Sequence, residues 1–472
     1  MVFQDLKKQI SSKVHFIGVG GIGMSALAFL LRKIDVTVQG SDINENYITE
    51  ELKSKGVLVF KGHDEKNITD DVSLIIKTSV IRDNNPEIIA AKSKNIKIIT
   101  RAQLLAMAMQ DKKSITIAGT HGKTSTTAIT ASIMEEANLD PIVINGGIIN
   151  NYKSNFKIGN GDYIVAESDE SDGSFVDLPS FCGAVTNIEP EHLDFYGGDF
   201  EKQKSYFKRY IEQIQAKDGG ICALCIDDKG VQNMIASLSG QKNLVTYSIK
   251  DSQKADIKAK NIEISSIGSK FDVQIHGKLV KDIFFPAYGL HNISNSLAAI
   301  AIADFLKIDH EAIQKGLKNF GGVKRRFTKV GEFDGCAIID DYAHHPTEVR
   351  ALISSARQFV GKNNVILVLQ PHKYSRVKDL FDEFCDCVKA ADKVILCDIY
   401  SANQGPIEGI SKESLYQGMK KVVGDKVILL ENDNDLAKVL KSNISSGDLV
   451  ICAGAGTITN IAKDLEKQLK KL

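Results

Sequence analysis

Short apolar runs alternate along most of this chain with longer stretches whose apolar residues recur every three or four positions, a rhythm that predicts strands alternating with helices. The first run, Val14-His15-Phe16-Ile17, passes through glycines into a helical stretch ending near Lys33. Strands follow at Val36–Asp42, Ser73–Thr78 and Ile96–Ile99, then a helix from Arg101 to Gln110. Ile115–Ala118 opens a second series, with strands near Ile142–Asn145, Tyr163–Glu167 and Ala184–Ile188. Between Asp256 and Phe285 the pattern becomes strict alternation, as in Phe271-Asp272-Val273-Gln274-Ile275-His276, which predicts antiparallel strands at one edge. A third series comprises Ala337–Ile339, Val365–Gln370, Lys393–Ile399, Val427–Leu430 and Leu449–Ala453, with helices after Pro346, near Val377–Lys389 and from about Thr457. Strands written as continuous apolar runs belong to sheets covered on both faces, so the expected class is α/β with mostly parallel sheets. Polar breaks at Asp111-Lys112-Lys113 and Gly321-Gly322-Val323-Lys324-Arg325-Arg326 divide the chain into domains at 1–112, 113–322 and 323–472.

Composition narrows the partners. A chain of 472 residues exceeds what one core serves. Lysine plus arginine and aspartate plus glutamate are equal at 59 each, so no global field draws the protein to nucleic acid or a membrane surface. No apolar run approaches the ~20 residues of a membrane span, and the stretch Met1–Lys8 does not begin an export signal, so a soluble, unexported protein is expected. Eight cysteines in so long a chain make no disulfide framework. Cys222-Ala-Leu-Cys225 has strand-like neighbours and no second pair at zinc spacing, and reads as buried thiols.

The chemistry concentrates at strand ends. After Ile115–Ala118 comes Gly119-Thr120-His121-Gly122-Lys123-Thr124-Ser125, a glycine-bracketed turn opening a helix, which is how a chain cradles phosphate. Backbone N–H groups face the anion, Lys123 neutralises β/γ-phosphate charge and Thr124 offers a hydroxyl to Mg²⁺. The loop is shorter than G-x-x-x-x-G-K-[ST], with Ile117 where the first glycine would stand. Gly18, Gly20 and Gly23 form G-x-G-x-x-G between a strand and a helix, and Asp42 closes the next strand, the layout of a Rossmann βαβ unit. That layout says only that a diphosphate can rest there, in a dinucleotide or in a nucleotide sugar. Glu167-Ser168-Asp169-Glu170-Ser171-Asp172 and Thr186-Asn187-Ile188-Glu189-Pro190-Glu191-His192 follow two further strands, and in a parallel sheet both rim the phosphate site. Metal ligation is the reading preferred for Glu167 and His192, since nucleotide phosphates need a divalent ion. Asn292 and Asn295, at a helix start, are caps or partners for a base edge. Three polar clusters, around Asp341, His344 and His345, around His372 and Arg376, and at Gly454–Thr457, follow strands of the third series and are expected to converge on one crevice.

Ten segments in order give the whole chain a resemblance to the Mur ligase family: HFIGVGGIGMSALA at 15–28, GSD at 40–42, AGTHGKTSTT at 118–127, NGG at 145–147, ESDESDGSF at 167–175, VTNIEPEHLDFYGGDFE at 185–201, GLHNISNSLAA at 289–299, RRF at 325–327, DYAHHPTEV at 341–349 and QPHKYSR at 370–376. The resemblance implies a Rossmann-like N-terminal domain for a UDP-sugar, a central P-loop-type ATPase, and a Rossmann-like C-terminal domain that brings the amino acid and closes on the nucleotide. It implies an ATP-dependent ligation of L-alanine to the carboxylate of UDP-N-acetylmuramate through an acyl phosphate, a step of peptidoglycan precursor synthesis, by a cytoplasmic monomer or homodimer. ATP and two Mg²⁺ would be held by Gly119, Thr120, His121, Gly122, Lys123, Thr124 and Ser125, with Thr124 and Glu167 serving one ion and His192 the other. Asn292 and Asn295 would contact adenine, Arg326 the phosphates and Asp341 the nucleotide. Gly18, Gly20, Gly21, Ile22, Gly23, Ser41, Asp42 and Ser79 would hold the UDP-sugar. His344, His345, His372 and Arg376 would line the alanine side, with Lys123, Glu167, His192, Arg326, His344 and His345 the catalytic set. Three alternatives remain open: ligation of a murein tripeptide to the same sugar nucleotide, which the resemblance also allows; NAD-dependent oxidoreduction using the first glycine turn; and binding without catalysis.

Overall fold

The structure is a computed structural model in which residues 4–10, 12–78, 80–110, 112–215, 219–238, 243–251 and 254–472 are described. The chain divides into two compact units: Met1–Lys260 with Val273–Val280 and Ser294–Gly321, and Asn261–Asp272 with Lys281–Ile293 and Gly322–Leu472. The first sheet contains β1 (Lys13–Ile17), β2 (Val38–Asp42), β3 (Leu58–Lys61), β4 (Val72–Lys77) and β5 (Lys97–Thr100). Its order is β3-β2-β1-β4-β5 and every pair is parallel, so the strand order reverses at β1, where the Gly18–Gly23 turn emerges.

The second sheet is built from β6 (Lys113–Ala118), β7 (Ile142–Ile149), β8 (Ser154–Lys157), β9 (Tyr163–Glu167), β10 (Cys182–Val185), β11 (Cys222–Cys225), β12 (Leu244–Ser248), β13 (Ile257–Ser265), β14 (Gly268–Ile275) and β15 (Lys278–Phe285). Its order is β15-β14-β13-β12-β11-β10-β6-β9-β7-β8, with parallel pairing from β12 through β7. Ile117 of β6 pairs with Glu167 on one side and Ala184 on the other, so the carboxyl ends of β9 and β10 flank the loop leaving β6. Apolar residues of both sheets share one core within the first unit, where Phe29 stacks on Phe156 at 4.7 Å and Asn155 donates to Ile22 O at 2.8 Å.

The third sheet comprises β16 (Thr328–Phe333), β17 (Cys336–Asp341), β18 (Val365–Leu369), β19 (Lys393–Leu396), β20 (Val427–Leu429) and β21 (Leu449–Ala453), in the order β16-β17-β21-β18-β19-β20. Alternate residues serve opposite faces: Ile339, Leu367 and Ile451 enter one core, Ile338, Ile366 and Val450 the other. Burying each such side chain contributes roughly 1.5–3 kcal/mol. The predicted α/β class is therefore the observed one. Among the described residues no helix is long and apolar enough to cross a membrane.

Several elements differ from expectation, among them β3, β8 and β12, where no strand is expected from the sequence. The helix expected near Val377–Lys389 is two helices, Tyr374–Asp379 and Phe381–Cys387, broken at Leu380, whose backbone leaves helical geometry. The strand at Ile142 continues to Ile149 through Gly146 and Gly147, which look like a break in sequence. Antiparallel β16 was not foreseen; it is joined to β17 by Asp334-Gly335, both at positive φ, the two-residue hairpin turn that an Asp-Gly pair signals.

Candidate functional site

The loop after β6 is shaped from both sides. Gly119 has φ +129°, and a Cβ there would lie 2.1 Å from Thr186 Oγ1; Gly122 has φ +84°, and a Cβ there would lie 2.5 Å from Asn295 Oδ1. Neither position accepts a side chain without moving its neighbour. The end of β10 clamps the loop: His121 N donates to Asn187 Oδ1 at 2.7 Å, Asn187 Nδ2 and Thr186 Oγ1 donate to His121 O at 3.0 and 2.5 Å, and Glu189 N donates to Thr120 Oγ1 at 2.9 Å. Thr186 and Asn187 were missed as loop-shaping residues, although side-chain acceptors at a strand end beside a predicted cradle are a visible signal. The helix Lys123–Glu136 starts without a side-chain cap, so its first N–H groups are left for an anion, whereas Tyr47–Ser54 and Arg101–Met109 carry full capping boxes.

Lys123 turns back onto this loop. Its Nζ donates to Gly119 O at 2.7 Å, Thr120 O at 3.1 Å and Glu170 Oε2 at 2.6 Å. Burial works against its charge, but Glu170, Asp169 and Glu167 outweigh it and hold the ammonium well above its ordinary value. Glu170 is wholly buried; burial raises its carboxyl above the ordinary value, while Lys123, 2.6 Å away, favours the charged form. Glu167, at the end of β9, accepts from Gly146 N through Oε2 at 2.8 Å. Thr124 and Ser125 are buried in the first turn of the loop's helix. His192 opens the helix Leu193–Tyr196 with φ +56°, a conformation that costs a non-glycine residue about 1–2 kcal/mol and is over-represented at functional sites.

At the first sheet, Gly20, Gly21, Ile22 and Gly23 lead into the helix Ile22–Lys33, which also begins without a side-chain cap. Gly18 N donates to Ser41 O at 2.8 Å, tying the turn to β2. Asp42 accepts from Gly20 N at 2.9 Å and from Asn44 N at 3.0 Å, so its carboxylate braces the glycine turn. Ser41 donates its hydroxyl inward to Glu87 at 2.6 Å, and Glu87 is wholly buried, receives Asn67 Nδ2 at 2.7 Å and lies 3.2 Å from His63 and 3.4 Å from His15. Burial disfavours the Glu87 charge, but His15, Ser41 and Asn67 draw its carboxyl below the ordinary value. Glu87 and His63 carry no motif and were missed. Ser79 lies outside the described residues.

In the second unit the carboxyl ends of adjacent β17, β21 and β18 bring the three polar clusters together. His344 and His372 lie 5.6 Å apart between ring centres, and Tyr400, also missed, stacks on His372 at 5.6 Å and 14°. Arg376 Nη1 is 3.1 Å from His372 Nδ1. His345 caps the helix Pro346–Val360, with Glu348 closing the capping box. Arg326 lies 3.9 Å from Glu348 and over the Tyr342 ring, and Arg325 donates to Gly454 O at 2.5 Å. Asp341 spends both oxygens on its own chain, accepting from Phe327 N at 2.7 Å and Ala343 N at 2.8 Å; burial raises its carboxyl to about 6, with Arg326 opposing. Asn292 donates to Tyr288 O at 2.8 Å, and neighbouring His291 is driven down to about 4, chiefly by burial and then by Arg326.

Three family profiles match the chain in order: the Mur ligase family catalytic domain over residues 13–113, the Mur ligase middle domain over 117–303, and the Mur ligase glutamate ligase domain over 325–456. The chain is 44% identical over 480 residues to a UDP-N-acetylmuramate–L-alanine ligase of Rickettsia felis, covering 99% of each protein. It is 42% identical over 465 residues to a protein of the same name from Rhodospirillum centenum, covering 97% of this chain and 95% of that one. Among solved structures, UDP-N-acetylmuramate-alanine ligase of Thermotoga maritima superposes with a TM-score of 0.83 at 28% identity, covering 98% of this chain and 99% of the other. A murein peptide ligase of Psychrobacter arcticus, at 22% identity and a TM-score of 0.71 over 98% of this chain and 99% of its own, shares the fold.

Proposed function

The chain belongs to the Mur ligase family, and on that premise we propose that it joins L-alanine to the lactyl carboxylate of UDP-N-acetylmuramate at the expense of ATP, in peptidoglycan precursor synthesis. The observation that carries the reading is a phosphate loop set between the acidic end of β9 and the end of β10, in a chain aligned over 97% of its length with L-alanine ligases. A carboxylate is a poor acyl donor, so the γ-phosphoryl group passes to its oxygen, ADP leaves, and the alanine amine attacks the acyl phosphate to expel phosphate through a tetrahedral intermediate. Negative charge grows first at the transferring phosphoryl group and then at the acyl oxygen. Lys123 and the uncapped helix start supply positive potential to the first of these. Thr124 and Glu167, whose Oε1 is not used by the bond to Gly146, are oxygen donors of the kind Mg²⁺ takes, and His192 serves a second ion. Those ions, when bound, neutralise phosphate charge.

In this reading Asn292 and Asn295 face the adenine, Arg326 the phosphates, the Gly18–Gly23 turn the UDP-sugar, and His344, His345, His372 and Arg376 the amino acid. The domain limits proposed are 1–112, 113–322 and 323–472. ATP and a nucleotide sugar are charged and do not cross a bilayer unaided, which places the reaction in the cytoplasm. The test is phosphate release from ATP with UDP-N-acetylmuramate and either L-alanine or the murein tripeptide, alongside a nicotinamide absorbance assay. Release dependent on L-alanine is expected. Release with the tripeptide alone assigns the recycling ligase, and an absorbance change without phosphate release sinks the ligase altogether.

A further inference from the structure

An ammonium has three N–H donors, and all three of Lys123's are engaged by its surroundings. Two go to carbonyls of its own loop, Gly119 and Thr120, and the third to Glu170 at 2.6 Å. No donor remains for a phosphate until one acceptor is released. The carbonyls are neutral and belong to the loop's backbone, so surrendering either would deform the cradle. Glu170 is the charged acceptor of the three, and replacing its oxygen by a phosphate oxygen exchanges one anion for another. Its frame is fixed: the Glu170 carbonyl accepts from Tyr196 Oη at 2.6 Å and from Gly173 N at 3.1 Å, and the side chain is fully buried. Its other oxygen, Oε1, is buried without a hydrogen-bond partner, so the carboxylate is held in place by Lys123.

We propose that Glu170 is a positioning residue that holds Lys123 in the place of a nucleotide phosphate oxygen, and that nucleotide binds by exchanging phosphate for this carboxylate at Nζ. The proposal rests on the reading of Gly119–Ser125 as the nucleotide loop. Glu170 then keeps Lys123 charged and aimed before nucleotide arrives, and it competes for Lys123 afterwards, which lowers affinity and lets ADP leave. A residue serving only the fold would weaken nucleotide binding when replaced. Replacing a competing counter-ion strengthens it.

The experiment is calorimetric titration of ADP in magnesium buffer into wild type, Glu170→Gln, Lys123→Ala and the double variant. Glu170→Gln keeps the shape and an acceptor oxygen but loses the charge, and is expected to lower the ADP Kd about tenfold, with the KM for ATP falling and kcat not rising. The gain is expected to vanish in the Lys123→Ala background, because the exchange needs both partners. Glu170→Asp, which withdraws the carboxylate by one carbon, is expected to act in the same direction more weakly and serves if the glutamine variant does not fold. Equal or weaker ADP binding by Glu170→Gln, or a gain undiminished without Lys123, overturns the exchange. Unchanged ADP affinity in Lys123→Ala alone overturns the loop reading itself and the exchange with it; weakened binding there with no effect of Glu170→Gln removes the exchange and leaves the loop reading standing.

Discussion

Asp341 is a side chain whose motif points to one task while the fold gives it a second. The family resemblance implies a nucleotide contact for it, at a strand end. In the fold its two oxygens bridge Phe327 N and Ala343 N, so it also braces the backbone on both sides of the β17 end. Burial raises its carboxyl to about 6 from an ordinary 3.8. A carboxyl raised in the folded state binds its proton more tightly there than in the unfolded chain. Its contribution is therefore fully present below the unfolded value and is lost as pH rises through about 6. Unfolding of wild type and Asp341→Asn in urea at pH 4 and pH 7 should show the wild type losing on the order of 2 kcal/mol relative to the variant over that interval. A constant difference between the two proteins would contradict the raised carboxyl. Lys123 makes the complementary point: its residue type and spacing were legible, whereas its apposition to Glu170 joins residues 47 positions apart and carries no local pattern.

At the scale of elements, central strands buried on both faces were legible, because β18 and β21 are written as unbroken apolar runs and β17 as one up to Asp340. Edge strands were legible unevenly: the runs at Ile96–Ile99 and Val427–Leu430 mark β5 and β20, whereas β16 carries no such run. β16 has few buried positions and pairs on one side only, so its composition is mixed and the Asp334-Gly335 turn was its one clear mark. That turn is a place to test the hairpin. Gly335 has φ +76°, and a Cβ there would lie 2.6 Å from Ser446 Oγ. Gly335→Ala is expected to cost about 1–2 kcal/mol in urea unfolding, with the KM for nucleotide unchanged because the turn is at the opposite end of β17 from Asp341. Full stability in the variant would mean that the hairpin relaxes to another turn.

For the whole molecule, α/β class followed from rhythm alone, and family membership from ten motifs in order, matched by three family profiles along the chain. The expected metal chemistry is testable at this scale. Removal of divalent ions with a chelator should abolish L-alanine-dependent phosphate release and restored Mg²⁺ should recover it, while circular dichroism stays the same, since the elements beside Thr124, Glu167 and His192 are anchored by buried Ile129 and Ile133, Ile164 and Val165, and Tyr196. Turnover that survives chelation would remove the ions from the proposed reaction.

By itself the sequence determined the order of strands and helices, the glycine-bracketed loop and the chemical types available at each strand end, because hydrophobic periodicity and turn chemistry are local. Only the tertiary structure decided which strand ends are neighbours. Sheet order is not chain order: β6 lies between β9 and β10, and β21 enters between β17 and β18. That placement sets Glu170 on Lys123, Asn187 on His121 and His344 beside His372. Such contacts arise from long-range pairing and shared burial, which leave no trace in any short window of sequence.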